Sequence, residues 1–339
     1  MERTKVIAIL VALTTLLSCE NDVEINAEFE EKTYVLGLLS AQSDTNFVKI
    51  TKTFLSNTTN AIELAQDPNN LYYDLLTVSL NELNSNKNIV AQFPLKKTDS
   101  IRKLDGLFTT SRNEVYYTDA TIKENTEYSL IITKADGSVV SGETTITNGV
   151  NLVEPDVRRR GTISIIDPRT KGFIDERFEF ETTDNVGEFS ARIIFNYIEI
   201  NNIDSVPKSI ELPLTSILNP SLSKSIFVYR FEARKFFDAL EAIIPASNNP
   251  PSRVIPDQAV NVIIDAADAD YTLYRDVNGP IDGLAQTRPE YTNITNGIGL
   301  FASRNTNVVE ISLSGDTKNY IIATYGDRNN LSQFRGFEF

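Results

Sequence analysis

The segment EYSLIITKADGSVVSGETTITNG, residues 127–149, decides the fold class. Tyr128–Thr133 and Val139–Thr147 are both rich in β-branched and apolar residues, and Asp136-Gly137 lies between them. Asp-Gly between two such runs favours a tight turn with positive φ, so the segment predicts a β-hairpin. Asn148-Gly149 marks a second turn directly after it.

Further strands are predicted on both sides of this hairpin. Leu76, Val78 and Leu80 alternate with polar residues, and Ala191–Ile200 is long enough for a central strand. The other predicted strands are 34–39, 47–55, 162–166, 177–182, 209–214, 225–231, 260–264, 308–313 and 320–325. Many short strands separated by turns are typical of an antiparallel sandwich.

Domain organisation follows from this pattern. The hairpin resembles the last two strands of a fibronectin-III or immunoglobulin-like module. We therefore expect a mainly β protein with an immunoglobulin-like sandwich over residues 32–149 and a second antiparallel β domain over 150–339. The boundary is predicted near 148–160, where Glu154-Pro155 and three consecutive arginines interrupt the strand pattern.

One or two short helices are expected in the second domain. Phe231–Ile244 has apolar residues at helical spacing, and Pro245 ends it. This apolar stripe is expected to pack on a sheet. A shorter helical piece is predicted over Asp270–Asp276.

The first nineteen residues have the pattern of a secretory signal. Arg3 and Lys5 precede the apolar stretch Val6–Leu17, which is shorter than the ~20 residues that span a bilayer. Ser18 and Cys19 follow, and Cys19 is the one cysteine of the chain. The stretch resembles the lipobox of bacterial lipoproteins. Residues 1–18 are then a signal peptide, cleavage follows Ser18, and a covalent lipid on Cys19 anchors the chain.

Residues 19–31 are acidic and poor in apolar side chains. One interpretation is a solvated tether that holds the body away from the bilayer. The alternative is an export signal, because acidic residues just after the lipidated cysteine resemble the signal that sends Bacteroidota lipoproteins to the cell surface. The second interpretation, together with the resemblance of residues 293–302 described below, implies an outer-membrane anchor with the body facing outward.

Composition excludes several classes of function. The net charge is −14, so binding to nucleic acid through phosphate neutralisation is not expected. The chain has no histidine, which excludes serine-histidine triads and histidine-ligated zinc or haem sites. Ser221-Leu222-Ser223-Lys224 fits S-x-x-K, but the S-D-N and K-T-G elements of that mechanism are missing. We therefore expect no enzymatic activity and no cofactor.

A weak cation site is predicted around DVNGPIDG. Asp276, Asn278 and Asp282 offer oxygen ligands around a glycine turn, as calcium requires. The EF-hand spacing and its bidentate glutamate are missing, so a solvated acidic loop with Asx turns is the alternative. Ser100 and Ser205 lie in Asp-Ser-aliphatic triplets that resemble the O-glycosylation sites of Bacteroidota.

The segment RPEYTNITNGIGLFA, residues 288–302, carries the family resemblance. It is similar to the N-I-x-N-G-x-G-x-F ending of Bacteroidota surface lipoproteins of unknown function that are encoded beside SusC-like TonB-dependent receptors. Asn296-Gly297 and Gly299 tolerate positive φ, so the motif is expected to form a tight turn that brings Ile298, Leu300 and Phe301 into the core.

The resemblance implies a surface lipoprotein with an integral β-barrel partner. We expect a non-catalytic accessory subunit of an outer-membrane β-barrel complex, either a TonB-dependent transporter or an assembly or secretion machine. The alternative is a lipoprotein that captures a glycan, a peptide or a cation.

Overall fold

The computed structural model describes residues 30–56, 59–159, 161–201, 204–219, 221–279, 290–327, 329–330 and 332–338. Strands make up 46% of the chain and helices 14%, in several antiparallel sheets with a few short helices. The predicted mainly β fold of the sandwich type is therefore confirmed. The signal peptide and residues 19–29 of the tether lie outside the described residues.

Nineteen strands and five helices are described. The strands are β1 Thr33–Leu39, β2 Asn46–Lys52, β3 Leu76–Leu83, β4 Ile89–Pro94, β5 Lys96–Thr98, β6 Val115–Thr118, β7 Glu127–Lys134, β8 Val139–Thr145, β9 Val150–Glu154, β10 Thr162–Ile163, β11 Glu176–Thr182, β12 Glu188–Asn201, β13 Asp204–Leu218, β14 Ile226–Phe231, β15 Ser252–Val254, β16 Val260–Ala267, β17 Ile294–Thr295, β18 Gly297–Leu313 and β19 Phe337–Glu338. The helices are α1 Ala61–Gln66, α2 Pro68–Leu71, α3 Ala233–Ile243, α4 Ala269–Asn278 and α5 Gly315–Tyr325.

The predicted hairpin is confirmed as β7 and β8. The strands pair antiparallel from Glu127 with Thr145 to Thr133 with Val139. Gly137 has φ +82°, and the Lys134 N–H donates to the carbonyl of Ser138 across the turn. The hairpin lies inside a five-stranded sheet of order β17-β8-β7-β3-β4.

This five-stranded sheet packs against strands β1, β2 and β6 of a second sheet. Val35, Ile50, Leu130 and Ile132 are all almost fully buried and share one apolar core. They come from facing strands, which gives the N-terminal region its sandwich.

A larger apolar core fills the C-terminal region. Strand β12 is an interior strand of an eleven-stranded sheet, where it pairs with β13, β15 and β16. The three-stranded sheet β14-β11-β9 contributes Phe178 and Phe180 to the core. Helix α3 buries Phe236, Phe237 and Leu240 in the same core. Its prediction as a helix that packs on a sheet is therefore confirmed.

One element was predicted with the wrong conformation. Residues 320–325, predicted as a strand, form the second half of helix α5. Ser314 caps this helix, since its side chain accepts a hydrogen bond from the Thr317 N–H, and Asp316 lies in the first turn. These capping signals, and not the apolar run that follows them, determine the local structure.

Strand β18 connects the two cores. Its first part, Gly297–Ser303, pairs parallel with β1, and its later part, Arg304–Ile311, pairs antiparallel with β16. Ile294 and Phe301 belong to the N-terminal core, whereas Ile311 and Leu313 belong to the C-terminal core. The predicted C-terminal range therefore supplies residues to both cores, while the domain division at residue 149 stays a prediction.

The contact between β1 and β18 predicts a strong effect of Gly299→Ala. Gly299 has φ +117°, and a Cβ atom there would overlap the Val35 carbonyl oxygen. We expect a loss of about 3 kcal/mol or more in the free energy of unfolding, measured by urea denaturation.

The matched control is Gly106→Ala. A Cβ at Gly106 meets no atom of the described residues within 4 Å, so this variant should unfold within about 0.5 kcal/mol of the wild type. Equal urea midpoints for the two variants would contradict the role given to the β1–β18 contact.

Candidate functional site

A cleft of about 490 Å³ opens on the N-terminal sandwich beside β1 and β2. We call it the lysine cleft, because three of its lining residues are lysines. Its lining residues are Tyr34, Lys49, Thr51, Lys52, Thr53, Phe54, Leu71, Tyr72, Lys103 and Phe108. This set contains no acidic side chain, although the whole chain has a net charge of −14. The cleft is thus a local concentration of positive charge on an acidic protein.

Lys49 is fixed in place by hydrogen bonds. Its ammonium donates to the Tyr72 hydroxyl at 2.9 Å, to Asn113 Oδ1 at 2.6 Å and to the Glu114 carbonyl oxygen at 2.8 Å. Burial lowers the pKa of Lys49 to about 8, with a further contribution from Lys103 and partial compensation from Glu114. All three donors are used within the protein, so Lys49 supplies the cleft with charge and not with a hydrogen bond.

Lys103 retains donors for a ligand. Its ammonium donates to the Thr109 carbonyl oxygen at 3.3 Å and lies 5.1 Å from the centre of the Phe108 ring. An ammonium offers three donors, so Lys103 can bind an acceptor in the cleft.

Lys52 lines the cleft without placing its charge there. It pairs with Thr33 in the β1–β2 register, on the strand face opposite Tyr34 and Thr51. Its ammonium lies 5.8 Å from the centre of the ring of Tyr73, which does not line the cleft.

Apolar side chains form the rest of the cleft wall. Leu71 and Tyr72 are buried, whereas Phe54 is half-buried and Phe108 is exposed. Tyr34 closes one side, where its hydroxyl lies 3.0 Å from the hydroxyl of Tyr274 on α4. Burial and this hydrogen bond raise the pKa of Tyr34, so it stays neutral. The cleft therefore combines apolar walls with positive charge.

Our sequence reasoning missed this cleft. Lys49 and Lys52 lie on one strand, but Lys103 comes from a loop about fifty residues later. Only the fold brings them together. The signal in the sequence was a local excess of lysine in residues 49–52 of an acidic chain.

An exposed apolar segment borders the lysine cleft. We call Ile101–Phe108 the apolar loop, since Leu104 is 88% exposed, Leu107 67% and Phe108 47%. Two hydrogen bonds attach it to α1: Thr109 N–H to the Ala65 carbonyl at 2.9 Å, and the Gln66 side-chain amide to the Leu107 carbonyl at 2.7 Å. Neighbouring exposed apolar side chains of this kind are typical of interaction sites.

The predicted cation ligands have other partners in the structure. Asp276 forms an ion pair with Arg275 at 2.8 Å, and the Asn278 amide donates to the Tyr274 and Tyr291 carbonyls. Asp282 lies outside the described residues. Among the residues that the structure describes, no group of three or more acidic side chains could hold a metal ion. The cation site stays a prediction.

Asp268, from the same acidic run, has a structural role. It is 2% exposed and caps α4 by accepting a hydrogen bond from the Tyr271 N–H at 2.9 Å. Its other oxygen accepts from the Ser303 N–H at 2.6 Å and the Thr144 hydroxyl at 2.9 Å. Burial raises the pKa of Asp268 to about 6, although these three hydrogen bonds oppose that shift. The carboxylate thus joins α4, β18 and β8.

The predicted modification sites stay predictions. Ser100 and Ser205 are both exposed, the first just after β5 and the second in β13. Their O-glycosylation stays a prediction, as does lipidation of Cys19 after cleavage at Ser18, because both of the latter lie outside the described residues. In the S-x-x-K match, Ser221 donates to Asn219 at 2.7 Å.

The motif of residues 293–302 is built into the sandwich. The Asn293 amide donates to the Phe301 carbonyl at 2.7 Å, and Asn293 Oδ1 accepts from the Phe301 N–H at 2.9 Å. Asn296 has φ +58° in the turn between β17 and β18. Leu300 and Phe301 are buried, whereas Ile298 is only half-buried. These contacts give the motif a structural role.

Comparisons with known proteins identify no family for this chain. No family model matches the chain, and no curated protein matches it. Among the solved structures that align with the chain, a cytokine receptor complex is 9% identical with a TM-score of 0.19, and the alignment covers 84% of this chain and 99% of that one. The BSP domain of a biofilm-associated protein is 7% identical with a TM-score of 0.16, covering 83% of this chain and 30% of that one. The C-terminal globular domain of an oligosaccharyltransferase from Pyrococcus abyssi is 8% identical with a TM-score of 0.19, covering 84% of this chain and 49% of that one. At these TM-scores the alignments carry no argument.

In the described part of the chain, no helix is both long enough and apolar enough to span a bilayer.

The contacts of Asp268 predict that Asp268→Asn is destabilising. Asparagine keeps one acceptor oxygen and places an amide donor against either the Tyr271 N–H or the Ser303 N–H. We expect the free energy of unfolding to fall by about 2 kcal/mol in urea denaturation. Asp276→Asn on the same helix is the control, and it should cost less than about 0.5 kcal/mol because Asp276 is half exposed. Equal losses in the two variants would contradict the structural role of Asp268.

Proposed function

We propose that this protein is an outer-membrane lipoprotein, anchored by lipid on Cys19 and facing the cell surface, that acts as a non-catalytic accessory subunit of a β-barrel complex. The lipobox-like start and the acidic residues 19–31 support the anchor and the location. The exposed apolar loop is the observation that carries the accessory role, because it presents Leu104, Leu107 and Phe108 to a partner on a strongly acidic protein. The partner is an integral barrel protein of the same membrane.

The apolar loop is suited to protein contacts for two reasons. Its leucines are exposed, so burying them against a partner removes apolar area from water. Its backbone is attached to α1 by hydrogen bonds from Thr109 and Gln66, which reduces the entropy lost when a partner binds.

The lysine cleft favours a second candidate function. A cleft of about 490 Å³ with apolar walls and the ammonium groups of Lys49 and Lys103 is suited to holding a small molecule. In this alternative the lipoprotein captures a ligand from the medium and passes it to a transporter. Both functions use the same lipid anchor.

The anchor predicts that Cys19→Ser abolishes lipidation. A serine hydroxyl cannot form the thioether through which the lipid is attached, and the chain has no second cysteine. Cells fed an alkyne-labelled fatty acid should therefore label the wild type and not this variant. Ser18→Ala keeps a small residue before the cysteine and should label normally. Equal labelling of Cys19→Ser would overturn the proposed anchor.

The accessory role predicts that the double variant Leu104→Ser/Leu107→Ser loses the partner. The wild-type lipoprotein, isolated in mild detergent, should co-purify with an integral outer-membrane β-barrel protein identified by mass spectrometry. Truncating two of the most exposed leucines removes much of the apolar contact, so we expect at least about a tenfold lower yield of the barrel protein.

Ile226→Ser is the matched control for this variant. Ile226 is 59% exposed, but it lies on β14 in the three-stranded sheet and not in the apolar loop. Its replacement should therefore leave the yield of the barrel protein unchanged. A wild-type preparation without any barrel protein, under conditions that preserve other outer-membrane complexes, would overturn the accessory role. Equal losses for both variants would overturn the role of the apolar loop.

A further inference from the structure

Two ammonium groups lie in the lysine cleft, those of Lys49 and Lys103, and no described acidic residue lines it. Lys103 also contributes to the lowered pKa of Lys49. Several lysines outside the cleft are paired with carboxylates, as in Lys96 with Asp119 and Lys123 with Glu82. An anion in the cleft would supply a countercharge for both of its ammonium groups.

The donors that remain in the cleft define the size of the anionic group. Lys49 has used its three donors, so Lys103 is left to bind acceptor oxygens. A lysine ammonium acts as a compact point charge. One carboxylate or phosphate has enough acceptor oxygens to meet its remaining donors.

The apolar walls of the cleft indicate that the ligand also has an apolar part. Phe54, Leu71 and Phe108, together with the rings of Tyr34 and Tyr72, present apolar surface along the cleft. Its volume of about 490 Å³ falls within the ~300–1,000 Å³ typical of small-molecule sites. An ion without an apolar part would leave this surface in water, and a neutral apolar molecule would leave the ammonium groups without a countercharge.

We propose that the lysine cleft binds a small amphipathic anion, an aryl or acyl group that carries a single carboxylate or phosphate. Lys103 binds the anionic group, Lys49 adds a fixed positive charge, and the aromatic side chains pack on the apolar part. This inference rests on the second candidate function and names the class of ligand that the cleft selects.

The test is calorimetric titration of the lipidated full chain in nanodiscs of phosphatidylcholine, with empty nanodiscs as the blank. The probes are 3-phenylpropionate, phenyl phosphate, the neutral 3-phenylpropionamide, and acetate. We expect the first two to bind with dissociation constants of about 0.1 to 1 mM and the amide and acetate to bind at least about tenfold more weakly. The ratio of the dissociation constants of 3-phenylpropionate and phenyl phosphate shows whether the cleft prefers a carboxylate or a phosphate.

Charge variants locate the binding site. Lys103→Met should weaken 3-phenylpropionate binding severalfold. Lys52→Met and Lys96→Met are the matched controls, because each of these ammonium groups lies 5.8 Å from a tyrosine ring, that of Tyr73 or Tyr117, outside the cleft. Both control variants should bind like the wild type.

The pH profile gives an independent readout through Lys49. The titratable side chains that contact it or shift its titration are Tyr72, Lys103 and Glu114, and Arg112 lies 5.5 Å from the centre of the Tyr72 ring. Because the pKa of Lys49 lies at about 8, its charge is present at pH 7 and is lost as the pH rises. Affinity for 3-phenylpropionate should therefore be constant from pH 6 to 7 and fall severalfold by pH 9.

Several outcomes would overturn the inference. Equal affinity for the amide would show that the cleft selects no anion, while leaving ligand capture intact. No binding of any probe would overturn both the inference and the second candidate function. Equal weakening by Lys96→Met would mean that the overall charge, and not the cleft, attracts the probes. None of these results bears on co-purification of a barrel protein, which is tested separately.

Discussion

The pairing of β18 with two different partners is the constraint on which the rest of the structure depends. Its seventeen residues run parallel to β1 and then antiparallel to β16. Because side chains alternate between the two faces of a strand, a shift of one residue would turn Phe301 out of one core and Leu313 out of the other. The register of both cores is therefore set by one strand, and the approach of Gly299 to Val35 fixes that register.

The same strand also positions the lysine cleft. At Ser303, where β18 changes partner, the buried carboxylate of Asp268 binds the backbone and caps α4. Helix α4 then carries Tyr274 to the hydroxyl of Tyr34, which lies on β1 and lines the cleft. The edge of the cleft thus depends on contacts made far along the chain, and damage to β18 would disturb it without touching a lysine.

The elements that could be predicted from the sequence are those determined by residue patterns within one short segment. The β7–β8 hairpin follows from Asp136-Gly137, and α3 follows from its apolar spacing and Pro245. Helix α5 was predicted as a strand because its apolar residues were read without the Ser314 cap. The cleft and the two-partner strand were missed for another reason: both depend on contacts between residues from about fifty to over two hundred and fifty positions apart, which a periodicity within one segment does not encode.

The two candidate functions are physically connected through Phe108. This residue belongs to the apolar loop and also lines the lysine cleft, where the Lys103 ammonium lies against its ring. A partner that buries Phe108 removes water from that cation–π contact, and it also covers one wall of the cleft. Burying Lys103 without a countercharge would be costly. A bound anion offsets that cost, so partner and ligand would favour each other's binding, as expected for a lipoprotein that passes its ligand to a barrel.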